Sequence, residues 1–98
     1  MNHKELNGFL FFDPNDKIYL THFPSCPVVP GSIIVDEFVK IIKDEFPDLG
    51  DIIIKDFSFL RFLIPGEYSY KIECCVDTFS CYLFRGDTIM TKGTVCCG

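Results

Sequence analysis

One amphipathic segment between two prolines constrains this chain more than any other feature. In residues 32–46, Ile34, Val35, Phe38, Val39, Ile41, Ile42 and Phe46 fall on one broad arc at ~100° per residue, and Asp36, Glu37, Lys40, Lys43 and Asp44 fall on the other. Pro47 forbids continuation, and Pro30-Gly31 precedes the start. This is the one convincing helix; the rest of the patterned sequence is β-like. Residues 51–63 are rich in Ile and Phe, residues 68–76 place Tyr68, Tyr70 and Ile72 on one face, and residues 79–84 and 88–97 read as two further strands. Turn signals at Ile64-Pro65-Gly66-Glu67 and Arg85-Gly86-Asp87 predict two hairpins after the helix. Before it, residues 8–12 and 17–21 are expected to form a hairpin around Asp13-Pro14-Asn15-Asp16. Strands on both sides of a single apolar helix predict an α+β domain, with an antiparallel sheet wrapped around that helix.

Size and charge narrow the function classes. The chain has 98 residues, which predicts one domain over residues 1–98. A hydrophobic fraction of 48% with 11 Phe is enough for a packed core. No apolar run approaches the ~18–20 residues of a membrane span. The N-terminal residues carry no apolar stretch behind a basic region, so no signal peptide is expected and the cytoplasm is the expected compartment. The net charge is −5 and the nine basic residues are scattered, which argues against nucleic acid as a partner. An acidic partner would need a local basic patch, for which Arg61, Arg85 and Lys92 are the candidates. The six cysteines, Cys26, Cys74, Cys75, Cys81, Cys96 and Cys97, show no C-x-x-C spacing, so no metal site is expected and buried small hydrophobes are the plain reading.

Residues 22–36 carry the chemistry. They combine an imidazole at His22, a rigid loop with Pro24, Pro27 and Pro30, a glycine at a helix start, and a carboxylate about one turn in at Asp36. A neutral histidine can remove a proton near neutral pH. A helix N-terminus offers unpaired N–H groups and the positive end of a dipole to a developing oxyanion, and Gly31 lets a ligand approach that backbone closely. Each residue also has a plainer alternative: His22 as an ordinary loop histidine, Asp36 as a solvated carboxylate on the polar arc, Gly31 as a turn residue. Lys40 stands four residues after Asp36, where a helix allows the two to pair.

The segment resembles the active-site motif of the β-hydroxyacyl-acyl-carrier-protein dehydratases of the hotdog superfamily. Their pattern is H-F-P-x-x-P-x-x-P-G followed by a helix with Asp or Glu fourteen residues after the histidine, and His22, Phe23, Pro24, Pro27, Pro30, Gly31 and Asp36 match it in spacing. Downstream, Phe59-x-Arg61-x-x-x-Pro65-Gly66-Glu67 is similar to the family's aromatic-basic strand running into Pro-Gly-Asp. The resemblance implies a hotdog fold working as a homodimer or a multiple of dimers, with His22 of one subunit facing Asp36 of the other. It implies a β-hydroxyacyl or enoyl thioester as substrate, carried by acyl carrier protein or CoA. The thioester carbonyl would sit on the Gly31 N–H, Phe23 and Pro30 would line the substrate, and no metal or organic cofactor would be needed. Hotdog folds host more than one chemistry. Thioester hydrolysis, or non-catalytic acyl binding by a subunit partnered with a complete homologue, are the alternatives.

Overall fold

The computed structural model describes residues 4–21 and 27–98, with the backbone alone for residues 20 and 21. Along the chain come β1 (Lys4–Phe12), a one-turn helix α1 (Ile18–Thr21), α2 (Gly31–Glu45), β2 (Ile52–Phe59), β3 (Gly66–Cys74), β4 (Thr78–Arg85) and β5 (Thr88–Cys97). The strands form one five-stranded sheet in the order β1-β3-β4-β5-β2, antiparallel throughout. This is the hotdog arrangement, with α2 as the helix that the sheet wraps. Among the described residues no helix is long and apolar enough to cross a membrane.

Helix α2 forms where the periodicity predicts. Its apolar arc buries Ile34, Val35, Phe38 and Ile42. Of these, Ile34, Phe38 and Ile42 share one core with Tyr68 and Ile72 of β3, Phe79, Cys81 and Leu83 of β4, and Val95 of β5. Phe38 is fully buried, and its ring lies 6.0 Å from that of Phe57 and 6.5 Å, edge-on, from that of Tyr70. Burying such a side chain contributes about 1.5–3 kcal/mol. The helix rests closely on the sheet because Gly93 lies opposite Phe57 in the β2–β5 ladder. A Cβ at Gly93 would stand 2.3 Å from Phe57 Cδ1, so only a bare backbone leaves room for the ring.

Two expectations fail. Residues 17–21 are not a strand. Asp16 Oδ1 accepts the Ile18 N–H at 3.1 Å and the Asp16 carbonyl accepts the Tyr19 N–H at 3.1 Å, so the turn after β1 runs into a capped helical turn. Alternation over five residues was too short a signal to outweigh that cap. The partner of β1 is therefore β3, in register from Lys4↔Cys74 to Phe12↔Gly66. Nor do β2 and β3 form a hairpin. Strand β2 pairs with β5 at the far edge of the sheet, and the connection crosses over to β3. Tyr68 holds this connection by donating its hydroxyl to the Ile64 carbonyl at 2.6 Å, while the Arg85 guanidinium lies 5.4 Å from the Tyr68 ring.

The cysteine expectation holds for Cys74 and Cys81, which are buried. Cys75 is exposed, and Cys96 and Cys97 are half-buried. For Cys74 and Cys75 the reason is the strand period: neighbours point to opposite faces, and only the face of Cys74 meets the core. Cys26 lies outside the described residues.

Candidate active site

The site is built where the start of α2 meets the end of β2. Pro30 is the N-cap residue, with φ −61° and ψ 142°, and no side chain caps the helix. Proline suits this entry because its fixed φ requires no rearrangement and it has no N–H to leave unpaired. The Pro30 carbonyl accepts the N–H groups of Ile33 at 3.1 Å and Ile34 at 3.3 Å. Gly31 and Ser32 carry the first helical N–H groups, which have no intrahelical acceptor. The Val29 N–H donates to the Leu63 carbonyl at 2.8 Å, clipping the entry loop to the segment that follows β2.

That segment leaves the ladder at a bulge. Met90 is the extra residue between the Leu83↔Thr91 and Phe84↔Ile89 pairs, and its carbonyl takes both the Leu60 N–H at 2.9 Å and the Arg61 N–H at 3.3 Å. Phe59, Arg61 and Phe62 are thereby turned toward the helix start. A cavity of about 490 Å³ opens there, walled by Ile18, Val29, Pro30, Gly31, Phe59 and Phe62, with Arg61 as its basic residue. This is the size range of small-molecule sites. Phe59 packs on Gly31 so closely that a Cβ on the glycine would stand 2.8 Å from the ring's Cζ. Gly31 thus has a packing reason as well as a chemical one. Next to the Ile18 wall, Tyr19 is buried, and burial followed by the nearby Asp16 pushes its phenol up, which keeps it neutral.

The structure brings Pro30 and Gly31 together with Phe59 and Arg61, joining the two motifs in one cavity. Asp36 is not among the cavity walls and is exposed. It lies five residues beyond Gly31, about 140° around the helix at ~100° per residue. The Lys40–Asp36 pair that the helix allows is not formed. Lys40 Nζ instead lies 3.5 Å from Glu37 Oε2, because an i,i+3 neighbour on the same exposed arc offers a carboxylate as well. His22 and Phe23 lie outside the described residues. Ile18 was missed as a wall because its segment reads as a strand. An aspartate before an apolar pair, a helix N-cap signal, was the clue to it. The anchoring Met90 carbonyl left no mark in side-chain pattern at all.

No family model matches the chain. It is 32% identical over 90 residues to a 3-hydroxyacyl-[acyl-carrier-protein] dehydratase FabZ of Herpetosiphon aurantiacus, a match covering 83% of this chain and 63% of the relative. A FabZ of Saccharophagus degradans is 27% identical over 100 residues, covering 85% of this chain and 69% of that one. The chain thus spans just under two thirds of the length of the first of these relatives. Among solved structures, the dehydratase heterocomplex ApeI:P from Xenorhabdus doucetiae superposes with a TM-score of 0.74 at 22% identity, covering 100% of this chain and 96% of that one. An uncharacterized protein from Erwinia carotovora subsp. atroseptica superposes with a TM-score of 0.76 at 20% identity, over 95% of this chain and 82% of that one. In sequence the chain is similar to these two dehydratases, and in fold to these two solved structures.

Proposed function

We propose that the chain acts as a dehydratase or hydratase on β-hydroxyacyl or enoyl thioesters. One observation carries the reading: the uncapped start of α2 at Gly31 forms the wall of an apolar cavity together with Phe59 and Arg61 of the second motif. Two relatives named as dehydratases of acyl-carrier-protein substrates support the same chemistry. The acyl chain lies in the cavity and the thioester carbonyl accepts the Gly31 N–H, where the helix dipole stabilises enolate charge. His22 removes the α-proton, and Asp36 protonates the departing β-hydroxyl, leaving the enoyl thioester and water. Hydration runs the same steps in reverse. No cofactor takes part in these steps.

Asp36 lies away from the cavity of its own chain, which is consistent with what the resemblance implies, a second copy that brings its Asp36 to the first copy's His22. The β2 edge supports such joining, since Ile53 and Ile54 are about half-exposed along an unpaired ladder. A homodimer of a cytoplasmic protein is the simplest assembly. The same position of Asp36 favours a second reading, an acyl-binding subunit that pairs with a complete homologue.

His22→Ala decides between them. It should lower turnover of a β-hydroxybutyryl or crotonyl thioester by ~10²–10⁴-fold, the usual contribution of a general base. Unchanged turnover in the variant, or none in the parent with either thioester, would overturn the dehydratase reading. Sedimentation as a strict monomer would overturn the shared site.

A further inference from the structure

Thr91 is fully buried, and its Oγ1 has no hydrogen-bond partner among the described residues. A buried hydroxyl without a partner is destabilising, and each instance calls for a physical reason. Its location supplies one. Thr91 follows the bulged Met90, and bulges re-aim the side chains beside them. It is the cross-strand partner of Phe59 on one side and of Leu83 on the other, so its side chain stands on the inner face beside Phe59. Phe59 is the residue that touches Gly31 and walls the cavity. One aromatic ring therefore separates the unpaired hydroxyl from the helix start. Phe59 is 47% exposed, so it has open space on its outer side.

We propose that Thr91 is a specificity-determining residue of the acyl site, whose hydroxyl binds the β-hydroxyl of a β-hydroxyacyl thioester once the Phe59 ring turns aside. The inference rests on the acyl-thioester reading above and names the part of the substrate that this wall recognises. With the thioester carbonyl on the Gly31 N–H, the β-hydroxyl is two carbons away, on the side where Phe59 stands. A saturated or enoyl chain has no oxygen there and leaves Thr91 unpaired. The site then prefers the hydroxylated acyl group by the value of one neutral hydrogen bond, and Phe59 keeps water from Thr91 when the site is empty.

The test uses two N-acetylcysteamine thioesters, α,α-dimethyl-β-hydroxybutyryl and α,α-dimethylbutyryl. Neither has an α-hydrogen, so neither can be dehydrated during a binding measurement. Calorimetric Kd values for the full chain should show a preference for the hydroxylated probe. Thr91→Val, which keeps shape and removes the hydroxyl, should lower that preference by up to about tenfold without lowering Tm, and Thr91→Ser should retain it. Thr91→Ala reads the same loss should the valine variant not fold. A Thr91→Val preference equal to the parent's, or equal binding of both probes by the parent, would overturn the role of Thr91 while leaving the acyl-thioester reading in place. A parent that binds neither probe would remove both.

Discussion

Strands β2 and β4 are each eight residues long and both mix apolar with polar residues, yet the sheet uses them differently. Strand β4 has a partner on each side, and alternate residues Phe79, Cys81 and Leu83 are 3%, 0% and 0% exposed. Strand β2 lies at an edge, carries a bulge at Lys55 between its Ile54 and Asp56 pairs, and leaves Ile54 and Phe59 about half-exposed. The apolar residues of β4 hold the fold, whereas in β2 Phe59 forms cavity wall and Ile53 and Ile54 an available edge. A strand that is half-open can carry a binding site because its side chains are not fully committed to packing.

Truncation gives the sharpest contrast. Leu83→Ala should destabilise by about 2–5 kcal/mol in urea unfolding, as deletion of a fully buried leucine does. Ile54→Ala should stay within about 1 kcal/mol at low protein concentration, in line with other exposed positions. Should two copies join along β2, the Ile54 cost appears instead as weaker dimerisation by sedimentation. Comparable losses of monomer stability at both positions would break the division between the strands.

Two glycines extend the comparison. A methyl at Gly93 would meet Phe57 near the base of its ring, with Cγ at 2.4 Å, and that ring packs against Phe38 under the helix. Gly93→Ala should cost about 1–3 kcal/mol, the range for overpacking a core. A methyl at Gly31 meets only the tip of Phe59, which has solvent to move into. Gly31→Ala should therefore cost less in Tm than Gly93→Ala while lowering kcat/KM, because the ring and the Gly31 N–H both change place. The reverse order of Tm loss would show that Phe59 is as firmly packed as Phe57.

Alkali probes the central strand through Cys81. Burial, reinforced by Cys74, pushes the Cys81 thiol up to about 12 from an ordinary 9.0. Between those values the unfolded chain releases this proton and the folded chain keeps it. Its contribution to stability is thus complete below pH 9.0 and is lost as pH rises through about 12. Urea midpoints should fall more steeply with rising pH in the parent than in Cys81→Ala. Parallel slopes would mean that water reaches β4. Cys74, raised chiefly by burial and opposed by Lys4, acts in the same direction.

The smallest effect is expected from Lys40→Gln. Lys40 is 67% exposed and pairs with Glu37, so any dehydratase activity should keep its pH–rate profile within error. A shifted profile would mean that Lys40 reaches the reacting groups in the assembled protein.

The sequence alone determined what depends on near neighbours. The extent of α2, the strands β3 to β5 and the meeting of Pro30 with Gly31 at a helix start follow from periodicity, proline stereochemistry and turn residues, all of which act over a few residues. The two motifs carried one family resemblance, and the structure sets Gly31 of the first and Arg61 of the second at one cavity. Tertiary structure decided what depends on long-range pairing. The register that places β1 beside β3 and β2 beside β5 reflects which strands complete the inner face over Phe38 and Ile42. Local pattern holds no record of that choice, since β2 and β4 read alike until one is given two neighbours. Thr91 shows the same limit: it reads as a polar strand residue, and only the pairing with Phe59 on one side and Leu83 on the other shows that its hydroxyl is buried.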